Sequence, residues 1–455
     1  MNSPNQARPA SSNYRWIICS LLFFSTTFNY MDRQVISYLK DYIFCVPAAD
    51  GGFGWSNQDF SFLTTAFTIF YGCMTIFMGW VVDRIGTKMG LSLSLIFWSL
   101  CGIANAFVGQ LLTMHIFIRS AFAVGEAGNF PASIKTVAEW FPKRERALAT
   151  GIFNAGSNSG AMVASLVVPL ILVNFNHELG WKMAFILTGA SGFLWLIFWF
   201  WLYDTPLKQK RLSKAEYDYI HIDDEKAADE PADDKAGKIS WWKIFGYRQG
   251  WAFFAGKFMT DGIWWFYLFW LPDYLEKQFN MTTRQVMMPT FIVYGVAIVG
   301  SVYGGSIPLT LIKRGMPVYR ARMTAMFLIA LAPLTVLLTQ YFGDVHRFPG
   351  YAATLAIAMI SIGAAAHQAW SANLFTTVSD MFPKKAVASV VGIGTTAGAI
   401  GGSIVQLLAG RLTDIFKSTP QTAYLIMFIV CALSYLIAWV IMKALVPRHK
   451  PITDL

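Results

Sequence analysis

Apolar segments long enough to cross a lipid bilayer recur along the whole sequence, and this recurrence limits the fold more than any other feature. A membrane-spanning helix needs about 20 mostly apolar residues to cross ~30 Å of hydrocarbon. Of the 455 residues, 55% are hydrophobic and only 14% are charged, whereas a soluble domain carries about 25% charged residues. The sequence therefore predicts an all-α membrane protein with twelve transmembrane helices. We place them at approximately 15–38, 58–82, 88–109, 111–138, 147–174, 182–203, 250–272, 286–311, 322–342, 351–379, 387–411 and 421–445.

A polar, acidic segment separates the first six predicted spans from the last six. The stretch HIDDEKAADEPADDKAGK contains proline and has no apolar face to bury, which is typical of a mobile linker. We therefore predict an N-terminal six-helix bundle over residues 1–203, a cytoplasmic linker over 204–249 and a C-terminal six-helix bundle over 250–455. Ser213, followed by Glu216, has the spacing of a capping box for a short surface helix within the linker.

The basic residues of the short connecting segments concentrate in alternate loops. Examples are Arg84 and Lys88 in one loop and Lys143, Arg144 and Arg146 in another. Because such a bias marks the cytoplasmic side, we predict that both termini are cytoplasmic. The net charge of +10 is then an orientation signal, and we expect no binding to nucleic acid.

No pattern in the sequence indicates an enzyme, a cofactor or a metal site. The five cysteines are odd in number and lie mostly inside predicted spans, which does not support a disulfide framework or a zinc site. Phosphate-binding loops, HExxH and GxSxG are absent from the sequence. We therefore expect a protein that is not an enzyme and that holds neither metal nor cofactor.

The two halves of the chain repeat one segment. EWFPKRERALATGIFNAGSNSGAM (139–162) aligns without gaps with DMFPKKAVASVVGIGTTAGAIGGS (380–403). Both copies place an FPK turn before a helix rich in small residues, and small residues let helices approach closely. Parallel six-span repeats of this kind place a binding site near mid-membrane, where the halves meet.

In the first half, four ionisable residues lie well inside two of the predicted spans, where each is costly. Asp32 and Arg33 lie in the first span, and Arg119 and Glu126 lie two turns apart on one face of the fourth. Two acids and two bases can neutralise one another in a low-dielectric setting. The set is either a transport site or a structural ion-pair network. As a transport site, an arginine that turns from its acid to a substrate anion leaves that acid to take up a proton.

The loop GWVVDRIGTK (79–88) resembles the signature loop of the major facilitator superfamily. That resemblance implies that Asp83, Arg84 and Lys88 help to latch the cytoplasmic side of the transporter during gating. The alternative is that the loop only sets orientation.

Further motifs resemble the proton-coupled anion:cation symporters, and among them the bacterial hexuronate (glucuronate and galacturonate) transporters. These motifs are NYMDR in the first span, Arg-x6-Glu in the fourth, the 139–162 segment, Lys257-x3-Asp261, GGSIP and AHQAWSANL. The resemblance covers essentially the whole chain. It implies a multi-pass protein of the bacterial inner membrane whose partners are a sugar-acid anion, protons and the lipid bilayer. We expect a monomer.

The resemblance also implies roles for individual residues. Asp32 and Glu126 would be the protonatable acids, Arg33 would bind the substrate carboxylate, and Arg119 would hold Asp32 or exchange partners with it. The substrate-binding residues that it implies are Tyr30, Arg33, Tyr71, Arg119, Ser157, Asn158, Lys257, Trp265, His367, Gln368, Asn373 and Thr395. Thr395 departs from the pattern, because galactonate-type members carry asparagine there.

Three of these assignments have a structural alternative. Lys257 and Asp261 lie four residues apart, so they form either a self-neutralised helix pair or a cavity-facing contact. His367 is either a proton carrier or a neutral, hydrogen-bonded core histidine. Trp265 belongs to an aromatic run that either lines the cavity or anchors the helix at the interface.

The function expected from these features is proton-coupled import of a hexuronate by alternating access. An aldonate such as galactonate is an alternative substrate. An organophosphate antiporter is a second alternative, although paired arginines from both halves would suit phosphate better. A nutrient receptor that does not transport is the third.

Overall fold

The computed structural model describes residues 13–222, 241–448, 450 and 452, and within those ranges every regular element is a helix. The first half and the start of the linker form eight α-helices, which are α1 (Tyr14–Leu39), α2 (Asn57–Ile85), α3 (Thr87–Ala104), α4 (Leu112–Glu126), α5 (Asn129–Trp140), α6 (Lys143–Asn174), α7 (His177–Leu202) and α8 (Lys214–Ile220).

The second half repeats this helical arrangement after a one-turn helix. Its α-helices are α9 (Trp241–Ile244), α10 (Arg248–Phe279), α11 (Thr283–Gly304), α12 (Ser306–Lys313), α13 (Val318–Leu331), α14 (Thr339–Phe342), α15 (Ala352–Met381), α16 (Lys384–Ile415) and α17 (Pro420–Leu445). A 3₁₀ segment over Ala332–Leu338 joins α13 to α14.

Nine helical segments in the described part of the chain are long and apolar enough to cross a membrane. Segments built on α1, α4 and α10 are not among them. α4 has only 15 residues and is too short to span a bilayer, whereas α1 and α10 carry the buried charges Arg33 and Lys257, which lower their mean hydropathy. The helical fold is confirmed, while the count of twelve spans and the cytoplasmic side of both termini stay predictions.

The predicted span over 111–138 is broken into two helices. α4 ends at Glu126, and α5 begins at Asn129. Gly128 lies at this break against α3, where an added Cβ would be 2.1 Å from the Ser94 hydroxyl. The break makes Glu126 the last residue of α4. Glu126 is 1% exposed, and a buried carboxylate needs a cationic partner when it is ionised.

The sequence repeat is also a structural repeat. Phe141 ends α5 and Phe382 ends α15, each in extended conformation. Pro142 and Pro383 then precede the first residues of α6 and α16, with φ of −61° in both. Proline suits the entry of a helix because its φ is already fixed near the helical value.

The halves contact each other mainly through two symmetry-related helix pairs, α2 with α16 and α6 with α11, while α1 also contacts α10. At Gly72 of α2 an added Cβ would lie 2.3 Å from the Cβ of Ala399 in α16. The helices of opposite halves therefore approach closely through small residues, as the repeat predicted.

The beginning of the linker is attached to the first half. The backbone N–H groups of Tyr14 and Arg15, at the start of α1, donate to the Glu216 carboxylate at 3.0 and 3.1 Å. The Arg15 guanidinium donates to Glu216 and to Glu145, at 2.9 Å in each case. A carboxylate at a helix N-terminus satisfies unpaired N–H groups and the helix dipole. These contacts secure α8 to α1 and α6.

Half of the predicted capping box of α8 is present, because the Ser213 hydroxyl accepts from the Glu216 N–H at 3.2 Å. The Glu216 side chain itself reaches α1, as described above. Most of the acidic stretch on which the linker prediction rests, residues 223–240, lies outside the described residues. The domain boundaries therefore stay predictions.

Candidate functional site

A buried ion pair joins α1 and α4 near the centre of the molecule. The Nε of Arg33 donates to Oε2 of Glu126 at 3.0 Å, and Nη2 lies 2.9 Å from the same oxygen. Both residues are 1% exposed. The other carboxylate oxygen, Oε1, is buried and has no hydrogen-bond partner among the described residues. The guanidinium and the carboxylate therefore do not form a bidentate pair, and each keeps unused hydrogen-bonding capacity.

Aromatic rings enclose the Arg33 guanidinium. Its carbon lies 4.2 Å from the ring centre of Tyr30, 4.5 Å from Tyr71, 5.1 Å from Phe67 and 5.2 Å from Trp265. We call these four rings the Arg33 cage. Trp265 belongs to the second half and the other three rings to the first. The cage therefore lies where the two halves meet, and it holds the arginine by cation–π attraction.

The two acids predicted to carry protons have different surroundings. Oδ2 of Asp32 accepts from the Trp98 indole at 3.2 Å, and no cation lies within 4.0 Å of Asp32 among the described residues. Arg119 instead donates through Nη2 to the Arg33 carbonyl at 2.7 Å, and its guanidinium lies 4.3 Å from the Phe122 ring centre. The expected Arg119–Asp32 contact is therefore absent in this structure, and Glu126 is the acid that Arg33 contacts.

The second half brings a charge pair close to the cage. Nζ of Lys257 lies 2.6 Å from Oδ2 of Asp261 on the same helix, α10. Trp265 follows Asp261 by four residues, so Lys257, Asp261 and Trp265 share one helix face. The Lys257 ammonium also lies 4.7 Å from the Phe375 ring centre. The predicted pairing at i, i+4 is present, and its position beside the cage is compatible with both interpretations.

One predicted pair of polar residues bridges the two halves. Nε2 of Gln368 in α15 donates to Oδ1 of Asn158 in α6 at 3.0 Å. The neighbouring Ser157 hydroxyl donates to the carbonyl of Asn154 on its own helix. An amide pair at mid-depth has donors and acceptors suited to sugar hydroxyl groups when the halves separate.

The remaining predicted residues of the second half mainly make contacts within it. His367 is hydrogen-bonded through Nδ1 to the Tyr435 hydroxyl at 2.8 Å and stacks on Trp264 with ring centres 5.2 Å apart. Asn373 donates to two backbone carbonyls in the same half. The Thr395 hydroxyl donates to the Val391 carbonyl of its own helix at 2.9 Å. These contacts match the core-histidine alternative for His367, and no ligand contact follows from them for Asn373 or Thr395.

The predicted gating loop lies at the end of the bundle where α1 begins and α17 ends. We call this end the terminal face and the opposite end the distal face. Asp83 lies in the last turn of α2, and its carboxylate is 3.0 Å from Lys135 of α5. Lys88 is 3.3 Å from Asp204, and the Arg84 guanidinium lies 4.1 Å from the Trp80 ring centre. Asp83 does not cap α3, which has no side-chain cap.

At the distal face, a cluster of charges joins the halves. The buried Lys40 ammonium is paired with Asp273 of α10 and donates to Oδ1 of Asn57 at 2.7 Å. Lys277 lies 2.5 Å from Asp273 and 3.5 Å from Asp41. Asp273 of the second half thus binds two lysines, one from each half. Lys40 and Lys277 lie near the ends of predicted spans, and the structure shows that both take part in contacts between the halves.

A second contact at the distal face involves a helix end. The Asp414 carboxylate, from α16, accepts from the backbone N–H of Asn57 at 3.0 Å and of Gln58 at 2.8 Å. One half therefore caps the first turn of a helix in the other. Slightly deeper, Gln34 donates to the Leu268 carbonyl at 2.5 Å. We call the Lys40–Asp273–Lys277 cluster and the Asp414 cap together the distal seal.

The described hydrogen bonds and ion pairs between the halves lie between mid-depth and the distal face. From the distal face inward they involve Asp273 and Asp414, then Gln34, and at mid-depth the Asn158–Gln368 pair. The structure is therefore a state that is sealed at the distal face, with the Arg33 cage beneath the seal.

Weakening the distal seal should open the distal face. Asp273→Asn removes the carboxylate that binds Lys40 and Lys277, and leaving the buried Lys40 ammonium without this partner costs several kcal/mol in the sealed state. We expect the population open at the distal face to rise on the order of tenfold or more. Nitroxide labels at Gln110 and Ser418, exposed at the distal end of opposite halves, report this as a longer distance in pulsed electron resonance.

A matched control removes a carboxylate at the same face but outside the seal. Glu178→Gln alters an exposed pair with Lys182 at 3.9 Å and should leave the label distances as in the parent. If Asp273→Asn gives the same distance distribution as Glu178→Gln, the seal does not hold the distal face closed.

Several residues of the site were missed by sequence analysis. Phe67 completes the Arg33 cage, and Trp98 is the direct partner of Asp32. Asn29 lies one turn before Arg33 and accepts from its Nη2 at 3.4 Å. The i−4 spacing was a usable signal for Asn29. The sequence gives no signal for Phe67 or Trp98, because aromatic residues are common within the apolar spans of membrane proteins.

Comparison with known proteins places this arrangement in a family. The family model described as Major Facilitator Superfamily matches residues 22–406. A bacterial homologue of the human lysosomal transporter Spinster has the same fold, with a TM-score of 0.71 at 17% identity, over 98% of this chain and 100% of that one. The chain belongs to the Major Facilitator Superfamily, and it is a membrane transporter rather than an enzyme.

Among individual transporters, the chain is similar to carriers of sugar acids. The hexuronate transporter of Escherichia coli strain K12 is 29% identical over 432 residues, which are 94% of each chain. The D-galactonate transporter of Escherichia coli O6:H1 is 27% identical over 443 residues, covering 95% of this chain and 97% of that one. The resemblance stated from the motifs is therefore confirmed at the level of the family and its hexuronate transporters.

Proposed function

We propose that this protein is a proton-coupled symporter that imports a hexuronate, such as glucuronate or galacturonate, across the bacterial inner membrane. The observation that carries the proposal is the Arg33–Glu126 pair inside the aromatic cage. A buried arginine with one acidic partner and four ring contacts offers a carboxylate substrate a cation, and it offers the sugar ring apolar surfaces.

Competition for Arg33 couples substrate to protons. In the structure, Glu126 contacts Arg33 through one oxygen. When a substrate carboxylate takes the arginine, Glu126 loses its cation while it is buried, where an unpaired negative charge is disfavoured. Glu126 then takes up a proton. Binding of the anion and binding of the proton therefore favour each other.

Charge movement gives a reason for such coupling. Moving a carboxylate into a cell whose interior is negative costs about 2.3 kcal/mol per charge per 100 mV of membrane potential. One proton carried with a monoanion removes this cost. Asp32, held by Trp98 apart from Arg33, is a second acid that allows a second proton, which would make uptake electrogenic.

We also propose that the terminal face is cytoplasmic, as the positive-inside bias of the loops indicates. The distal seal then closes the outer side, and the Asp83–Lys135 contact lies on the inner side. Alternating access requires the seal to break when substrate enters from outside.

Galactonate is the alternative substrate, favoured by the similarity to the D-galactonate transporter. Both substrate classes carry one carboxylate, so the same arginine suits either. An organophosphate antiporter is less well supported, because the cation that the second half presents beside the cage, Lys257, is already paired with Asp261.

Uptake into proteoliposomes tests the proposal directly. The purified full chain is reconstituted, and labelled glucuronate is added with an acidic exterior. A gradient of one pH unit supplies about 1.4 kcal/mol per proton, so we expect about tenfold accumulation, which a protonophore abolishes. Excess unlabelled galacturonate or galactonate ranks the substrates by competition.

The alternatives give different results in the same vesicles. A phosphate antiporter takes up label only when phosphate is inside, whatever the pH gradient. A receptor binds glucuronate and shows no flux. Equal uptake with and without a pH gradient would contradict proton coupling while leaving transport intact.

A further inference from the structure

We propose that Asp261 determines substrate specificity by restricting the site to anions with a single carboxylate. This inference rests on the proposed function and concerns the end of the substrate that Arg33 does not bind. The site would admit hexuronates and aldonates, which carry one carboxylate, and would exclude aldarates, which carry one at each end.

The position of Asp261 relative to the cage follows from one helix. Lys257, Asp261 and Trp265 lie at successive four-residue intervals on α10, so each step is about 6 Å along the axis. The Trp265 ring centre is 5.2 Å from the Arg33 guanidinium carbon. The Lys257–Asp261 pair therefore lies about one turn from the cage, on its terminal side, which is the side away from the distal seal.

The Asp261 carboxylate is fixed on its lysine. Oδ2 lies 2.6 Å from Nζ of Lys257. On its other side the carboxylate lies against α16, where a Cβ added to Gly398 would be 2.2 Å from Oδ2. Glycine at position 398 is thus what leaves room for the carboxylate beside Lys257.

The pair is slightly exposed and carries no net charge. The side chains of Lys257 and Asp261 are 8% and 16% exposed, respectively, in contrast to Glu126, whose side chain is 0% exposed. Because the two charges cancel within one turn, the second half presents a dipole beside the cage. Hydroxyl groups can bind such a dipole as donors to Asp261 and as acceptors from Lys257.

This arrangement separates monoacids from diacids. A hexuronate bound through Arg33 directs neutral hydroxyl groups toward the pair. An aldarate would direct a second carboxylate there, beside the negative Asp261 and with a lysine that is already neutralised. Like charges brought together in a partly dehydrated site cost several kcal/mol. Asp261 therefore acts by repelling the wrong substrate.

The substitution Asp261→Asn tests this role. Asparagine keeps the shape and a hydrogen bond to Lys257 but leaves the ammonium charge uncompensated. In proteoliposomes containing the full chain, we expect galactarate to inhibit glucuronate uptake at concentrations on the order of tenfold lower than in wild type. Calorimetry on the same variant gives the affinities for both ligands, and the ratio of galactarate affinity to glucuronate affinity should rise on the order of tenfold over wild type.

Two further variants separate charge from structure. Asp261→Glu keeps the negative charge, and the double variant Lys257→Gln/Asp261→Asn removes both charges. Asp261→Glu should gain no affinity for galactarate, and the double variant should gain less than Asp261→Asn does, because it removes the repelling carboxylate without freeing a cation. Asp261→Ser, which also frees the lysine, replaces Asp261→Asn if that variant does not fold, as judged by monodispersity in detergent.

Several outcomes would overturn the inference. One is that Asp261→Asn binds glucuronate normally and galactarate no better than wild type does. Another is that wild type already binds galactarate as tightly as glucuronate. Failure of the proposed function looks different, because wild-type protein would then bind no glucuronate at all.

Discussion

Replacing Arg33 with alanine is expected to abolish high-affinity binding of a hexuronate. The guanidinium is buried, contacts Glu126 at 2.9 Å and lies inside four aromatic rings, so no other group in the cage can replace its charge. Removing one partner of a buried charge pair costs about 2–5 kcal/mol. We therefore expect the Kd for glucuronate to rise by roughly 30-fold to more than 1,000-fold, as measured by calorimetry on detergent-solubilised protein.

Charge and geometry at this position are separable. Arg33→Lys keeps the cation but loses the planar fork that binds carboxylates and stacks on aromatic rings, so partial recovery of affinity is expected. The matched control is Arg322→Ala in the second half, which removes an arginine that is paired with Asp380 and donates to Thr376, outside the cage. Glucuronate affinity in Arg33→Ala equal to that in Arg322→Ala would show that Arg33 does not bind the substrate.

The elements predicted well from the sequence are those set by local patterns. The FPK turns begin α6 and α16 because proline fixes the entry of a helix. The Ser213 cap and the Lys257–Asp261 pair depend on spacings of three and four residues, and both are present. Apolar length predicted the helical architecture, because a bilayer allows few alternatives to a helix.

The partners within the site were not predictable, since adjacent helical residues point about 100° apart. Asp32 and Arg33 therefore face different neighbours, Trp98 of α3 and Glu126 of α4. The sequence shows that one acid must accompany the arginine but not which one. The spacing of residues along α1 does not reveal how this helix packs between α3 and α4.

The distal seal shows a second limit, which is distance along the chain. Lys40 and Asp273 are 233 residues apart, and Asn57 and Asp414 are 357 apart. Each residue lies near a predicted span end, where charges are common and need no partner. Only the arrangement of the two halves brings these residues together, and that arrangement depends on many small packing terms spread over α2 and α16.

Glu126→Gln should separate binding from proton coupling. Glutamine offers Arg33 an oxygen acceptor as the protonated acid does, but it cannot release or take up a proton. The arginine is then permanently available, so glucuronate binding and counterflow exchange should persist. Accumulation driven by a gradient of one pH unit should fall from about tenfold to about onefold, because no proton is carried by this residue.

The two vesicle measurements on one preparation decide the assignment. Counterflow of labelled glucuronate needs only binding and alternating access, whereas net accumulation also needs the proton. Asp344→Asn, which alters an exposed pair with Arg347, is the matched carboxylate control and should retain both.

Full pH-driven accumulation by Glu126→Gln would remove Glu126 from coupling and leave Asp32 as the candidate acid, since it is the other buried carboxylate beside Arg33. Loss of counterflow as well would instead mean that the ionised form of Glu126 is required for the halves to move. In that case the Arg33–Glu126 pair itself, rather than the proton, would be what permits the empty carrier to return.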